Sequence, residues 1–317
     1  MIEIVKYGSR YKSLWDEFVR RSKNGTFLFH RDYMEYHSDR FFDSSLLFSE
    51  NGILVSVMPA NVADDVFHSH AGLTYGGIVS DPKMKIGLML DLFGCLMTYL
   101  DQHRITTLVY KAVPHIYHTV PAEEDLYALF RYGAKLTRRD VACAIRLDEP
   151  IPFSRVRKRG TMKGKKNGLT IKRTNDFEAF MSIEEVVLRS KYNVKPTHTS
   201  SEIASLAQKF PENIKLFAAY KDEMMLAGVI IYESKHFAHV QYSASSEIGA
   251  KMGASDVLMD CLITQYSNGK KYFDFGISTE KGGAYLNRGL AAYKESFGAR
   301  AVMYDTYKVD VANSNSL

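Results

Sequence analysis

The chain has 317 residues, of which 46% are hydrophobic and 24% are charged, and its formal net charge is +5. These proportions are typical of a soluble globular protein and exclude a wholly disordered, collagen-like or coiled-coil chain. A chain of this length predicts two domains of ordinary size.

The positive charge comes from one part of the chain, residues 155–173, which we call the basic strip. Nine of the 41 Lys and Arg residues lie there without a single acid, which leaves 32 basic against 36 acidic residues elsewhere. The basic residues show no helical face, and Gly160, Gly164 and Gly168 favour flexibility. The strip therefore predicts either a surface that grips the phosphates of a substrate or a solvated linker.

The sequence argues against a membrane span and against export. The most apolar stretch, residues 88–100, is interrupted by Asp91 and is shorter than the roughly 20 residues that cross a bilayer. The first 12 residues lack the apolar centre of a signal peptide. Cys95, Cys143 and Cys261 are widely spaced and fit buried thiols in a reducing compartment. We expect a cytoplasmic protein without a transmembrane segment.

The first half of the chain is predicted to mix strands and helices. Hydrophobic periodicity indicates most of these elements, and Asn51-Gly52 indicates a hairpin turn. In chain order we predict a strand over 2–7, a helix over 11–21, paired strands over 45–49 and 53–59, a strand over 70–79, a helix over 85–103, a strand over 105–111, a helix over 125–132 and an extended segment over 134–147.

The second half repeats this order of elements. We predict a strand over 169–173, helices over 177–190 and from 200, strands over 214–220, 225–233 and 236–243, a helix over 255–266, a strand over 272–277, a helix over 284–297 and a strand over 301–309. A Pro-rich polar segment, residues 147–152, separates the halves. The predicted domains are residues 1–150 and 151–311, and residues 312–317 are predicted to be a disordered tail.

Three stretches carry a resemblance to a known family. Residues 272–300 read YFDFGISTEKGGAYLNRGLAAYKESFGAR, and residues 239–247 read HVQYSASSE. A strand that ends in Asp-Phe-Gly, a Gly-rich loop and Tyr-Lys-Glu-x-Phe-Gly together resemble the end of the Fem-type peptidoglycan aminoacyltransferases. Residues 75–79 before a long helix are similar to that family's Gly-Pro-Val element, and the basic strip is similar to the start of its second domain.

The resemblance implies an α/β (α+β mixed sheets) fold of two tandem GNAT-like domains and an N-acyltransferase activity. The implied acceptor is the amine of a cell-envelope precursor, an amino sugar or a peptide on a nucleotide carrier, held in the cleft between the halves. The implied donor is acyl-CoA or aminoacyl-tRNA, so tRNA is a possible partner, and no metal is needed. Two alternatives stay open: an acetyl-CoA-dependent N-acetyltransferase with an unknown small acceptor, and a catalytically silent tandem GNAT that binds tRNA or a nucleotide-sugar.

The sequence departs from the family patterns at two points. No stretch reads as the long helical arm that bridge-building Fem enzymes often insert in their second domain. The pyrophosphate-binding motif of acetyl-CoA-dependent GNAT enzymes does not match residues 247–254 cleanly, although Gly249 and Gly253 could present main-chain N–H groups to a phosphate.

Transfer to an amine needs a base, and four residues are candidates for the catalytic chemistry. Glu280, on the Gly-rich loop, is the preferred base, and Asp274, between two Phe residues, is the second carboxylate. Tyr242 is a candidate acid for the leaving group, and His239 a candidate base. Strict alternation along the strand over 236–243 places His239 and Gln241 on one face and Tyr242 on the other.

The remaining candidates would bind substrate. The resemblance places Lys294 near the phosphates of the donor or acceptor. The further candidates are Gln241, Asn287, Ser278, Arg157, Lys158 and Tyr75. The sequence has no Gly-x-Ser-x-Gly nucleophile elbow, and the pairs His68 with His70 and His115 with His118 lack Cys or acidic partners at metal-ligand spacing. No metal site is predicted, and the oligomeric state is left open.

Overall fold

The computed structural model describes residues 1–312, with every side chain in that range except those of His37, Lys191 and Tyr192. Most of the predicted tail, residues 313–317, lies outside the described residues. The chain forms two compact units. Among the described residues, unit 1 contains residues 1–140, 281–285 and 303–312, and unit 2 contains residues 141–280 and 286–302.

The first half of the chain mixes strands and helices, as the hydrophobic pattern predicts. The elements are β1 (Ile2–Lys6), α1 (Lys12–Arg21), α2 (Arg31–Met34), β2 (Leu46–Glu50), β3 (Ile53–Met58), β4 (Asn61–Ala63), β5 (Val66–His68), β6 (Val79–Ser80), α3 (Ile86–Gln102), β7 (Thr107–Lys111), α4 (Glu124–Arg131) and β8 (Lys135–Arg146).

The second half has longer strands and more helix. Its elements are α5 (Arg155–Lys166), β9 (Thr170–Thr174), α6 (Phe177–Tyr192), α7 (Ser200–Lys209), β10 (Ile214–Lys221), β11 (Met224–Glu233), β12 (Phe237–Ser245), α8 (Glu247–Met252), α9 (Ala254–Ser267), β13 (Tyr272–Ile277), β14 (Thr279–Glu280), β15 (Tyr285–Leu286), α10 (Arg288–Glu295) and β16 (Arg300–Asp310).

Unit 1 builds its core between α3 and sheets of short strands. One antiparallel sheet has the order β1-β2-β3-β6, and its β2–β3 turn is the predicted hairpin, with Asn51 and Gly52 both at positive φ. The strand predicted over 70–79 is wrong, because only Val79 and Ser80 pair with β3. Gly77, at a φ of +80°, turns the chain there and lies against the ring of Tyr110.

Unit 2 is a sheet with helices on both faces. Its strand order is β8-β13-β12-β11-β10-β9; β12 and β13 are parallel, and the other neighbours are antiparallel. The buried side chains of α9, with Leu258 and Leu262 at their centre, pack with Val229 and Ile231 of β11. On the opposite face the ring of Phe180, from α6, lies against Gly228 of β11. The predicted mixture of helices and strands is confirmed.

The basic strip is helical between Arg155 and Lys166, which corrects the prediction that it has no helical face. Ser154 caps helix α5 by accepting a hydrogen bond from the main-chain N–H of Arg157. The inward side of the helix is a stripe of small residues, Gly160, Thr161 and Gly164, that packs against α9. Hydrophobic periodicity does not reveal this face, because its small residues pack closely without being strongly hydrophobic.

Candidate active site at the fork of β12 and β13

The central parallel pair of unit 2 separates part-way along its length. Strands β12 and β13 are paired at three positions, the last of which joins His239 to Asp274. Beyond that point β12 continues along β11 as far as Ser245, and β13 continues along β8 as far as Ile277. We call this point the fork. Beyond the fork, the facing edges of β12 and β13 no longer form main-chain hydrogen bonds with each other. A substrate could bind between them.

Asp274 and His239 form a hydrogen-bonded pair at the fork. Nδ1 of His239 lies 2.6 Å from Oδ2 of Asp274, whose side chain is fully buried. The other carboxylate oxygen accepts a hydrogen bond of 2.8 Å from the main-chain N–H of Gly276. A carboxylate only accepts hydrogen bonds, so Nδ1 carries the hydrogen and Nε2 is the basic atom of the neutral ring. Two candidates from the sequence are therefore joined in one hydrogen-bonded pair.

A β-bulge at Gln241 corrects the predicted facing of Tyr242. His239 pairs with Tyr232, but Tyr242 pairs with Ile230, so one extra residue is inserted in β12. Because Tyr232 and Ile230 are two positions apart on β11, Tyr242 shares a face with His239. Their positions are about 7 Å apart along the strand. The bulge thus places the phenol and the imidazole on the face that α6 covers.

Tyr242 is buried and hydrogen-bonded to His198, a residue that no motif in the sequence singles out. Its hydroxyl oxygen lies 2.7 Å from Nδ1 of His198 and accepts a hydrogen bond of 3.2 Å from the main-chain N–H of the same residue. Burial raises the pKa of Tyr242 above its ordinary value, so the phenol stays protonated at neutral pH. His198 precedes α7 and could be found only once the chain is folded.

Glu280, Asn287 and Ser278 lie together on the loop after β13. Nδ2 of Asn287 donates a hydrogen bond of 2.9 Å to Oε1 of Glu280, and its main-chain N–H donates to the carbonyl of Ser278. The Oδ1 atom of Asn287 caps α10 by accepting from Leu290, so that helix begins at Arg288 instead of residue 284. Glu280 is therefore held by a structural amide, and its role as the base stays a prediction.

Lys294 lies inside unit 2, directly behind the end of β13. Its side chain is buried, and Nζ donates hydrogen bonds of 2.8 and 2.6 Å to the carbonyls of Gly276 and Ile277. Burial lowers the pKa of Lys294 to about 8, although the nearby acidic groups Cys143 and Asp274 oppose that shift. In this position the ammonium fixes the main chain at the fork, and contact with a phosphate stays a prediction.

The two glycines predicted to bind a cofactor are packed against other parts of unit 2. A Cβ atom at Gly249 would lie 2.3 Å from the carbonyl oxygen of Leu226. One at Gly253 would lie 2.6 Å from the carbonyl oxygen of Gly160, in α5. Each glycine has a sufficient structural reason in close packing, and its contact with a cofactor stays a prediction.

Of the other predicted binding residues, two lie on α5, one lies in unit 1, and Gln241 lies on β12 just beyond the fork. Arg157 forms an ion pair with Asp256 and lies over the ring of Tyr293, whereas Lys158 is exposed on α5. Tyr75 is buried in unit 1, where its hydroxyl donates to Thr26. Gln241, the bulged residue, lies beside Tyr242.

Between residues 1 and 312, no three His, Cys, Asp or Glu side chains are grouped in a way that could hold a metal ion. In the same part of the chain, no helix combines the length and the apolar character needed to cross a membrane.

Comparisons with known proteins agree with this fold. Residues 154–295 match the family model described as an acetyltransferase (GNAT) domain. Over 96% of both chains, the structure is similar to the crystal structure of FemX, with a TM-score of 0.68 and 12% sequence identity. A search of curated protein sequences finds no significant match.

Two further solved structures have the same fold. The C-terminal domain of a putative lysylphosphatidylglycerol synthetase from Agrobacterium fabrum aligns with a TM-score of 0.60 and 13% identity over 94% of both chains. A tandem GNAT protein from the clavulanic acid biosynthesis pathway aligns with a TM-score of 0.52 and 9% identity over 98% of this chain and 99% of that one. The predicted tandem GNAT-like fold is confirmed.

Replacing Gly276 by Ala tests how tightly the fork holds His239. The residue has a φ of +72°, and an added Cβ would lie 3.2 Å from Cε1 of His239. We expect a loss of about 1–2 kcal/mol in the free energy of unfolding from the positive φ, together with a shift of the His239 imidazole resonances in NMR spectra.

Gly282→Ala is the matched control, because Gly282 also has a positive φ, +64°, but faces open space. This variant should lower the free energy of unfolding by a similar amount and leave the His239 resonances unchanged. Unchanged resonances in both variants would show that Gly276 does not constrain His239.

Proposed function

We propose that this N-acyltransferase of the Fem-like GNAT superfamily transfers an acyl or aminoacyl group to the amine of a cell-envelope precursor. The observation that carries the proposal is the buried Asp274–His239 pair at the point where β12 and β13 separate. Tyr242 supports it from the same face of the sheet. The free thiols Cys95, Cys143 and Cys261 fit a cytoplasmic site of action.

The proposed reaction is a direct attack of the amine on a bound ester or thioester. As the new N–C bond forms, Nε2 of His239 takes a proton from the nitrogen, and Asp274 stabilises the resulting imidazolium. The C–O or C–S bond then breaks, and the leaving oxygen or sulfur takes a proton from the phenol of Tyr242. The proton on His239 returns to Tyr242 through solvent. Main-chain N–H groups of β12 beyond the fork, where β13 no longer pairs with that strand, would donate to the oxyanion.

The packing of unit 2 favours an aminoacyl ester carried on a polyanion over acyl-CoA as the donor. Helix α5 lies against Gly253, at the start of α9, where a pyrophosphate would otherwise meet main-chain N–H groups. The outward side of the same helix carries exposed basic side chains that can bind phosphates. These are Arg155, Lys158, Arg159, Lys163, Lys165 and Lys166, of which Lys165 is paired with Asp260.

An acyl-transfer assay with His239→Gln tests the catalytic role of the pair. The donors to compare are aminoacyl-tRNA and acetyl-CoA, and the acceptors are UDP-linked peptides and amino sugars. We expect turnover with aminoacyl-tRNA and a fall in kcat of about 10²–10⁴ in the variant, which is the usual contribution of a general base.

His236→Gln, a change three residues earlier in the chain, is the control and should keep normal turnover. Turnover by the wild type with acetyl-CoA alone would identify an acetyltransferase. Binding of tRNA without turnover on any donor would identify a silent binding protein.

Neutralising the outward face of α5 tests its contact with phosphates. Arg155→Gln, Arg159→Gln and Lys166→Gln together remove three charges from side chains that face away from α9. We expect KM for aminoacyl-tRNA to rise at least tenfold at low salt, with little change in kcat or in unfolding temperature.

The matched control removes three exposed charges elsewhere, in Arg20→Gln, Lys83→Gln and Lys85→Gln. An equal rise in KM in both triple variants would assign the effect to overall charge and would return α5 to a structural role.

A further inference from the structure

A buried carboxyl group, Glu184, faces the same side of the unit 2 sheet as the fork. It lies on α6, four residues after Phe180, whose ring packs on Gly228 of β11. Residues four apart share one side of a helix, so Glu184 also faces the sheet. Helix α6 packs against β12, the strand of Tyr242, and the charge of Glu184 adds to burial in raising the pKa of that phenol.

The carboxyl group of Glu184 has an unused acceptor. The residue is only 6% exposed, and among the described residues Oε2 is buried without a hydrogen-bond partner. Burial alone raises the pKa of Glu184 to about 7, without an offsetting contribution from a nearby cation. Burying a carboxylate oxygen without a hydrogen-bond partner lowers the stability of the fold, and an apolar side chain at this position would avoid that loss. The position is therefore explained better by a ligand than by stability.

The chemistry of the group defines the ligand. A carboxylate only accepts hydrogen bonds, so its complement is a donor, and a buried negative charge is best matched by a positive one. An amine acceptor meets both conditions, because aliphatic amines are ammonium ions at neutral pH. An ammonium ion cannot attack a carbonyl until it has lost a proton, so a base near its binding site is also required.

We propose that Glu184 binds the ammonium form of the acceptor amine and takes its first proton. The carboxylate becomes a carboxylic acid, and the R–NH₃⁺ group becomes R–NH₂, whose lone pair is then free to attack. The proton lost during the attack still passes to His239. This assignment rests on the proposed function, and it divides the two deprotonations of the nitrogen between two residues.

The kinetic test compares two acceptors of nearly the same shape in Glu184→Gln. Ethylamine is an ammonium ion at roughly pH 8, whereas 2,2,2-trifluoroethylamine is neutral there because fluorine lowers its basicity. We expect kcat/KM to fall at least tenfold for ethylamine and less than twofold for trifluoroethylamine. Equal losses for both amines would overturn the proposal, because a purely structural role does not distinguish them.

Glu185→Gln is the matched control, since Glu185 is the next residue, is 47% exposed and pairs with Arg189. It should leave both rates unchanged. Glu184→Gln is nearly isosteric and should unfold at the same temperature as the wild type or higher. Should it fail to fold, Glu184→Met replaces it in the same comparison.

A second test does not depend on turnover. Crystals of the wild type and of Glu184→Gln are soaked in methylammonium chloride, and a wild-type crystal in sodium chloride serves as the blank. We expect density within hydrogen-bond distance of Oε2 only in the wild type with methylammonium. An empty site would refute the ammonium site even if the enzyme is active, and an occupied site would support it even if the proposed donor is wrong.

Discussion

The hydrogen bond between Asp274 and His239 sets the geometry of the candidate site. It joins the last paired position of β12 and β13, so it lies where the sheet stops being continuous. The carboxylate is fully buried, and both of its oxygens accept hydrogen bonds, one from the imidazole and the other from the main-chain N–H of Gly276. A buried carboxylate held in this way fixes both the tautomer and the direction of the ring. The two strands therefore separate around a histidine with a defined basic atom.

The surrounding structure supports this arrangement from two directions. From behind, the buried ammonium of Lys294 binds the carbonyls of Gly276 and Ile277 and so fixes the end of β13. In β12, the bulge at Gln241 inserts one extra residue, so the side chains that follow it point to the opposite face of the sheet from the one that alternation predicts. Without that bulge Tyr242 would face α9 and the apolar core. With it, the phenol shares a face with His239, on the side of the sheet that Glu184 of α6 also faces.

Much of the fold follows from sequence periodicity, and the failures have physical causes. The long helices α3, α6 and α9 and the strands β10 to β13 have strong apolar patterns, and they lie close to their predicted positions. Helix α5 was not predicted, because its buried side is made of Gly and Thr, which pack closely but carry no hydrophobic signal. The strand predicted near Tyr75 fails for a related reason, since Gly77 turns the chain at a positive φ.

The individual residues of the site were partly predictable, but their grouping was not. The sequence points to Asp274, His239 and Tyr242, yet strict alternation predicts the wrong face for Tyr242, because a bulge has no local signature there. Glu184 and His198 are separated from Tyr242 in the chain by more than 40 residues and meet β12 only through tertiary packing. An isolated Glu on an amphipathic helix resembles a solvated one until its burial is known.

A double-mutant cycle on His239→Gln and Asp274→Asn tests the central claim, that the two residues work as one base. The quantity to measure is kcat/KM for acyl transfer in the wild type, both single variants and the double variant. If Asp274 acts only through His239, the double variant will be no slower than His239→Gln, so the two effects will not add. Additive losses would show that the residues act independently and would contradict the account.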